Sequence, residues 1–189
     1  MDYRIFFLNR NKCIIHYPKK PNGFGILFLP QEGTFLNDKD KGLLNNPRFT
    51  FFQNLIDKGY TLFYSNLGTS HMGNPHAAAQ AKYLYEFVKR MEILNPKIHV
   101  IAEGTGAMIV QSLIEKNPEL IRSIAFINPI FTLAWGRELV LDQPFLYKRF
   151  FMEVAKTYHM DERECERFIN EAEKVSISIT SPFVIIHIL

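Results

Sequence analysis

Apolar residues follow two alternating rhythms along this chain. Short runs in which almost every position is apolar are separated by longer stretches in which apolar residues return every three or four positions. The first two runs, YRIFFL (Tyr3 to Leu8) and KCIIHY (Lys12 to Tyr17), flank Asn9, Arg10 and Asn11 and predict a β-hairpin. GILFLP (Gly25 to Pro30), TLFYSN (Thr61 to Asn66), KIHVIA (Lys97 to Ala102), IRSIAFINP (Ile121 to Pro129) and the closing SPFVIIHIL predict further strands. Helical spacing fills the intervals. RFTFFQNLIDKG (Arg48 to Gly59) ends in a glycine stop signal, the Pro75 to Asn95 stretch repeats Ala81, Leu84, Val88 and Met91 on one face, and Gly106 to Lys116 follows the fifth run. Strands alternating with helices predict an α/β fold, a mostly parallel sheet with flanking helices.

The rhythm changes after Phe131. Trp135, Phe145, Tyr147, Phe150, Phe151 and Tyr158 are mixed with charges in helical phases, and no strand pattern returns before Ser181. This stretch predicts a helical cap insertion. The expected organisation is a core over residues 1–130, a cap-like insertion over 131–175 and a final core strand over 176–189.

Composition narrows the function classes. At 189 residues and 47% hydrophobic content, the chain can bury one sizeable core. A net charge of +3 without a basic block or a recognisable motif argues against nucleic-acid binding. Cys13 and Cys165 fit neither CxxC nor zinc spacing, so reduced thiols are expected, with no metal and no cofactor. The first residues lack a signal-peptide cleavage site and no apolar run is long enough to span a bilayer, so a cytoplasmic protein without a membrane span is expected.

Candidate chemistry centres on IHVIAEGTGAMIVQSL, residues 98–113, a buried strand, a sharp glycine turn and an amphipathic helix. With the preceding hairpin, the insertion after Pro129 and the late strand SPFVIIH, it resembles the α/β-hydrolase family over nearly the whole chain. In that family the turn reads G-x-S-x-G and raises a nucleophile on a strained elbow. The matching positions here are Ala102, Glu103, Gly104, Thr105, Gly106 and Ala107, so the nucleophile slot holds Gly104. Further departures follow. The oxyanion loop corresponds to Pro30, Gln31, Glu32, Gly33 and Thr34, which lacks the family's histidine and adds a carboxylate, and Asn66 stands where the loop after the fourth strand carries an acid. In the late strand Pro182 and His187 match, Ile188 replaces a glycine, and the sequence stops at Leu189 before the family's acid and histidine positions. The resemblance therefore implies a degenerate or C-terminally truncated hydrolase.

Three functions remain open at this stage. A catalytically impaired protein would keep a pocket for a small acyl or carboxylate ligand around Gln31, Glu32, Gly33, Glu103, Gly104, Gly106 and Trp135, lined by amides at a helix N-terminus. An unorthodox ester or acyl hydrolase would use Thr105 or Ser70 with His71, which share the carboxyl end of the sheet. An interaction module would be completed by a partner chain, with a homodimer formed through the exposed C-terminal edge strand. Thr105 also has a plainer reading as a helix-capping residue whose hydroxyl satisfies a backbone amide, and Glu103 is either a buried turn carboxylate or an acid in the pocket.

Overall fold

The computed structural model describes residues 2–31, 49–68, 70–171 and 179–188. Among them, seven strands form one sheet in the order β1-β2-β4-β3-β5-β6-β7. β1 (Asp2–Leu8) and β2 (Asn11–Tyr17) form an antiparallel hairpin, β2 pairs antiparallel with β4 (Thr61–Ser65), and β3 (Gly25–Leu29), β4, β5 (Ile98–Glu103), β6 (Ile121–Ile127) and β7 (Phe183–Ile186) run parallel. The hairpin turn is tighter than the sequence implied. Asn9 and Arg10 alone form it, both at positive φ (47° and 66°), and Asn11 already belongs to β2. Positive φ at both central residues gives the backbone twist that matches flanking strands.

Every residue of β3 and β4 is buried, because helices cover both faces of these central strands. One face packs on α2 (Pro75–Met91) and α3 (Gly106–Lys116) through Leu27, Phe63, Ala81, Val88, Val100 and Val110. The other packs on α1 (Phe49–Asp57), where Phe52 and Ile56 meet Phe28, Tyr64 and Ile101. Local signals set the helix ends. Asn74 caps α2 by accepting from the Ala77 amide, and Pro75 occupies its first turn. The helix stops at Met91, short of the predicted Asn95, where Glu92 turns extended (φ −123°) four residues ahead of Pro96. A residue before proline is itself pushed out of the helical region, so the stop has to precede Asn95.

Between β6 and β7 the chain forms α4 (Leu133–Glu138), α5 (Pro144–Tyr158) and α6 (Glu162–Glu171). They bury a cluster of their own, in which Leu133, Val154, Cys165 and Ile169 join Met72 and Met108. β7 closes the sheet at one edge. Its four residues are between 39% and 52% exposed, which for Phe, Val and two Ile is unusual on a sheet. Asn128 fastens the segment after it, donating from Nδ2 to the Ile188 carbonyl and accepting at Oδ1 from the Ile188 amide.

Candidate functional site

The turn from β5 into α3 lies at the carboxyl end of the parallel strands, and its glycines divide the structural work. Gly104 sits at φ +51°, a conformation that L side chains rarely adopt. Its amide donates to the Ile127 carbonyl at 3.1 Å, and its own carbonyl accepts from the Ala107 and Ile130 amides. Gly106 has a different reason to lack a side chain. A Cβ there would lie 2.3 Å from the Leu29 carbonyl oxygen, so the start of α3 rests directly on the backbone of β3.

The slot above Gly104 is taken by a neighbour. A Cβ on Gly104 would lie 2.6 Å from Gln31 Oε1, so the carboxamide of Gln31 reaches over the elbow from the end of β3. Glu32 and Gly33, expected beside Gln31 in the pocket, lie outside the described residues, as does Thr34. Glu103 ends β5 at 4% exposure, paired in register with Ile127. Thr105 is buried at 6%. It occupies the N-cap position of α3, but its hydroxyl makes no capping hydrogen bond, contrary to the plainer expectation for it. The cause is its backbone, which is already helical (φ −64°, ψ −16°), whereas a capping side chain reaches the first-turn amides from an extended residue. The Ala107 and Met108 amides instead donate to the Gly104 and Thr105 carbonyls, so this helix end offers an anion fewer amides than an ordinary one.

Ser70 and His71 do come to this end of the sheet, on the loop after β4, but each is engaged elsewhere. His71 is 2% exposed; its Nδ1 accepts from the Gly73 amide at 3.2 Å and its Nε2 contacts the Pro30 carbonyl at 3.3 Å, which places the ring proton on Nε2. Burial lowers its pKa to about 4, outweighing the stabilising Pro30 carbonyl. Ser70 Oγ donates to Glu153 Oε2 on α5 at 2.5 Å. Two more bonds from α5 hold the same loop: Thr157 Oγ1 donates to the Ser70 carbonyl and Tyr158 Oη to the Met72 carbonyl. The roles of Glu153, Thr157 and Tyr158 escaped the sequence reading; Glu153 and Thr157 share a helix face four residues apart, but Tyr158 lies about 100° further round. Burial raises the Tyr158 pKa to about 12, so its hydroxyl stays protonated and able to donate.

Trp135 lies on α4, 41% exposed, with its ring 5.7 Å from Phe131. Asn66 donates its amide to the Lys12 carbonyl, and its side-chain oxygen lies 3.5 Å from Ser65 Oγ. Among the described residues, no group of three or more His, Cys, Asp or Glu side chains could hold a metal ion, and no helix is long and apolar enough to cross a membrane.

The seven-stranded, mostly parallel sheet with flanking helices gives the chain the α/β-hydrolase fold, and solved structures agree. The chain is similar to Est1E from Butyrivibrio proteoclasticus (10% identity, TM-score 0.61), covering 98% of this chain and 76% of that one. The mouse alpha/beta hydrolase domain-containing protein 10 is similar at 13% identity and a TM-score of 0.57, with 99% and 77% covered. An acylaminoacyl peptidase from Pyrococcus horikoshii reaches a TM-score of 0.62 at 13% identity, covering 98% of this chain but only 31% of its own. No family model matches the sequence, and no curated protein matches it.

Proposed function

We propose that this protein is a catalytically impaired member of the α/β-hydrolase group whose elbow serves binding rather than ester hydrolysis, its ligand being a small acyl or carboxylate compound. Two features support the reading: the family resemblance sets the nucleophile at Gly104, which has no side chain, and the Gln31 carboxamide reaches into the space a side chain there would need. The Gln31 carboxamide, its oxygen towards Gly104, and the start of α3 supply the polar groups of this site, and α5 packs on the loop after β4 at the same end of the sheet. A cytoplasmic setting accords with the two cysteines, both buried and free.

The competing reading, hydrolysis by Thr105 or Ser70 with His71, asks His71 to accept a proton. Its one lone pair is committed to the Gly73 amide, and its burial disfavours the cation. Wild-type protein is expected to turn over short-chain and medium-chain p-nitrophenyl esters no faster than buffer, and Gly104→Ser is expected to stay inactive, because a serine alone leaves a triad without its proton acceptor. Turnover that vanishes in Thr105→Ala, Ser70→Ala or His71→Ala would establish the unorthodox enzyme instead. Labelling by a fluorophosphonate probe gives a second readout.

The exposed apolar strand β7 favours a second reading alongside the first, in which two copies of the chain pair edge to edge. A two-fold axis makes β7 meet itself antiparallel, satisfying its outer backbone groups and covering Val184 and Ile185. Light scattering is expected to report a dimer in the micromolar range, and Ile185→Lys a monomer with unchanged far-UV circular dichroism. A wild-type monomer at high concentration would exclude the arrangement.

A further inference from the structure

The opposite end of the sheet carries a cleft, about 590 Å³ in volume, between the starts of β5 and β6 and the segment entering β7. Its polar lining comes from Lys97, His99, Arg122, Ser123, Thr180 and Ser181. Parallel register puts His99 directly opposite Ser123, and His99 Nδ1 lies 2.7 Å from Ser123 Oγ. The histidine ring is held edge-on by two aromatic rings, Tyr60 at 5.6 Å and Phe24 at 5.9 Å. Arg122 is also oriented, its guanidinium lying 4.8 Å over the Phe24 ring. Stacking of this kind fixes the plane of the guanidinium while leaving its N–H groups available.

The charge balance is one-sided. Among the described residues no carboxylate lines the cleft, and neither Lys97 nor Arg122 makes an ion pair. Burial, and next the charge of Arg122, lower the His99 pKa. Three hydroxyls complete the wall, so donors from three chain segments converge on one space. A flat carboxylate offers two oxygens to such a set, whereas a tetrahedral phosphate offers three to bidentate arginine, lysine and hydroxyls together. The volume falls in the range of small-molecule sites and exceeds what a single ion needs.

We infer that this cleft binds a phosphate-bearing small molecule, with Arg122 and Lys97 taking the charge and Ser123, Thr180 and Ser181 the remaining oxygens. The inference does not depend on the role of the elbow. It is tested on the full chain by titrating inorganic phosphate and, separately, phenyl phosphate at constant ionic strength set with chloride, following the His99 imidazole resonances. Both ligands are expected to give saturable shifts. Tighter binding of phenyl phosphate identifies a phosphomonoester as the occupant and equal binding identifies the free ion, and either result supports a phosphate site. Loss of one charged donor should weaken binding about tenfold or more in Arg122→Gln and in Lys97→Gln. Both residues are exposed, so the variants should keep the wild-type melting temperature. Shifts that fail to saturate, shifts reproduced by chloride, or an Arg122→Gln protein that binds as tightly as wild type would each overturn the assignment.

Discussion

Lowering the pH from 7 to 4 is expected to remove a large share of the fold's stability, with His16 and His71 as two principal groups. Both are held near pKa 4 by burial, against an ordinary value of 6.5. The unfolded chain therefore binds more protons than the native one throughout that interval. Their contribution is intact above pH 6.5 and drains away as the pH falls towards 4. A displacement of this size corresponds to about 3 kcal/mol per histidine, large against a total stability of roughly 5–15 kcal/mol. The cost has a structural form in each case. Protonating His71 at Nδ1 turns the acceptor for the Gly73 amide into a donor facing it, and His16 would carry its charge at zero exposure, stacked on Tyr64 with Nε2 3.0 Å from Tyr64 Oη. Urea unfolding at intervals between pH 4 and 7.5 should show this slope for the wild type and a shallower one for His16→Gln and for His71→Gln. Identical slopes in all three proteins would rule out the two histidines as the cause.

Gly106→Ala is expected to be the most damaging single methyl group that can be added at the elbow. The new carbon would lie 2.3 Å from a backbone carbonyl that cannot swing aside, and relief requires α3 to lift off β3. Overpacking against a rigid neighbour costs about 3 kcal/mol. Gly104→Ala should be milder although it places a side chain at φ +51°, because the atom it meets is the far end of the flexible Gln31 side chain. The left-handed conformation alone costs roughly 1–2 kcal/mol. Chemical denaturation of the two variants side by side measures the difference, and a Gly104→Ala protein less stable than Gly106→Ala would contradict this account of the turn.

These contrasts also show where reading the sequence reaches its limit. The strand and helix alternation is local, carried by apolar spacing and by punctuation such as Asn74, Pro75 and Gly106, and α3 falls on the predicted Gly106 to Lys116. The elbow is legible for the same reason, since its small residues are neighbours in the chain. Thr105 shows the opposite case. Its residue type favours capping, but its backbone angles come from the packing of α3 on β3 and remove the geometry that capping requires. His71 reads as a candidate proton acceptor for Thr105 or Ser70, but the loop that carries it is bonded to α5 and buries its ring. The cleft at His99 depends on register, because nothing in either strand announces that His99 and Ser123 will face one another.

The bonds between α5 and the loop after β4 join positions 83 to 87 residues apart. Closing so long a stretch of chain is entropically unfavourable unless other structure has already drawn its ends together. Assembly of β4 beside β3, β5 and β6 provides that proximity, so docking of α5 on this loop depends on the sheet being in place. The same hierarchy runs in reverse in the native state. Part of the hold on α4, α5 and α6 is three polar contacts to one loop, and such a unit can lift away while the sheet stays intact. Each such excursion would admit water to His71, which makes the breathing of one helical unit, rather than global unfolding, the event that first exposes the buried imidazole to solvent protons.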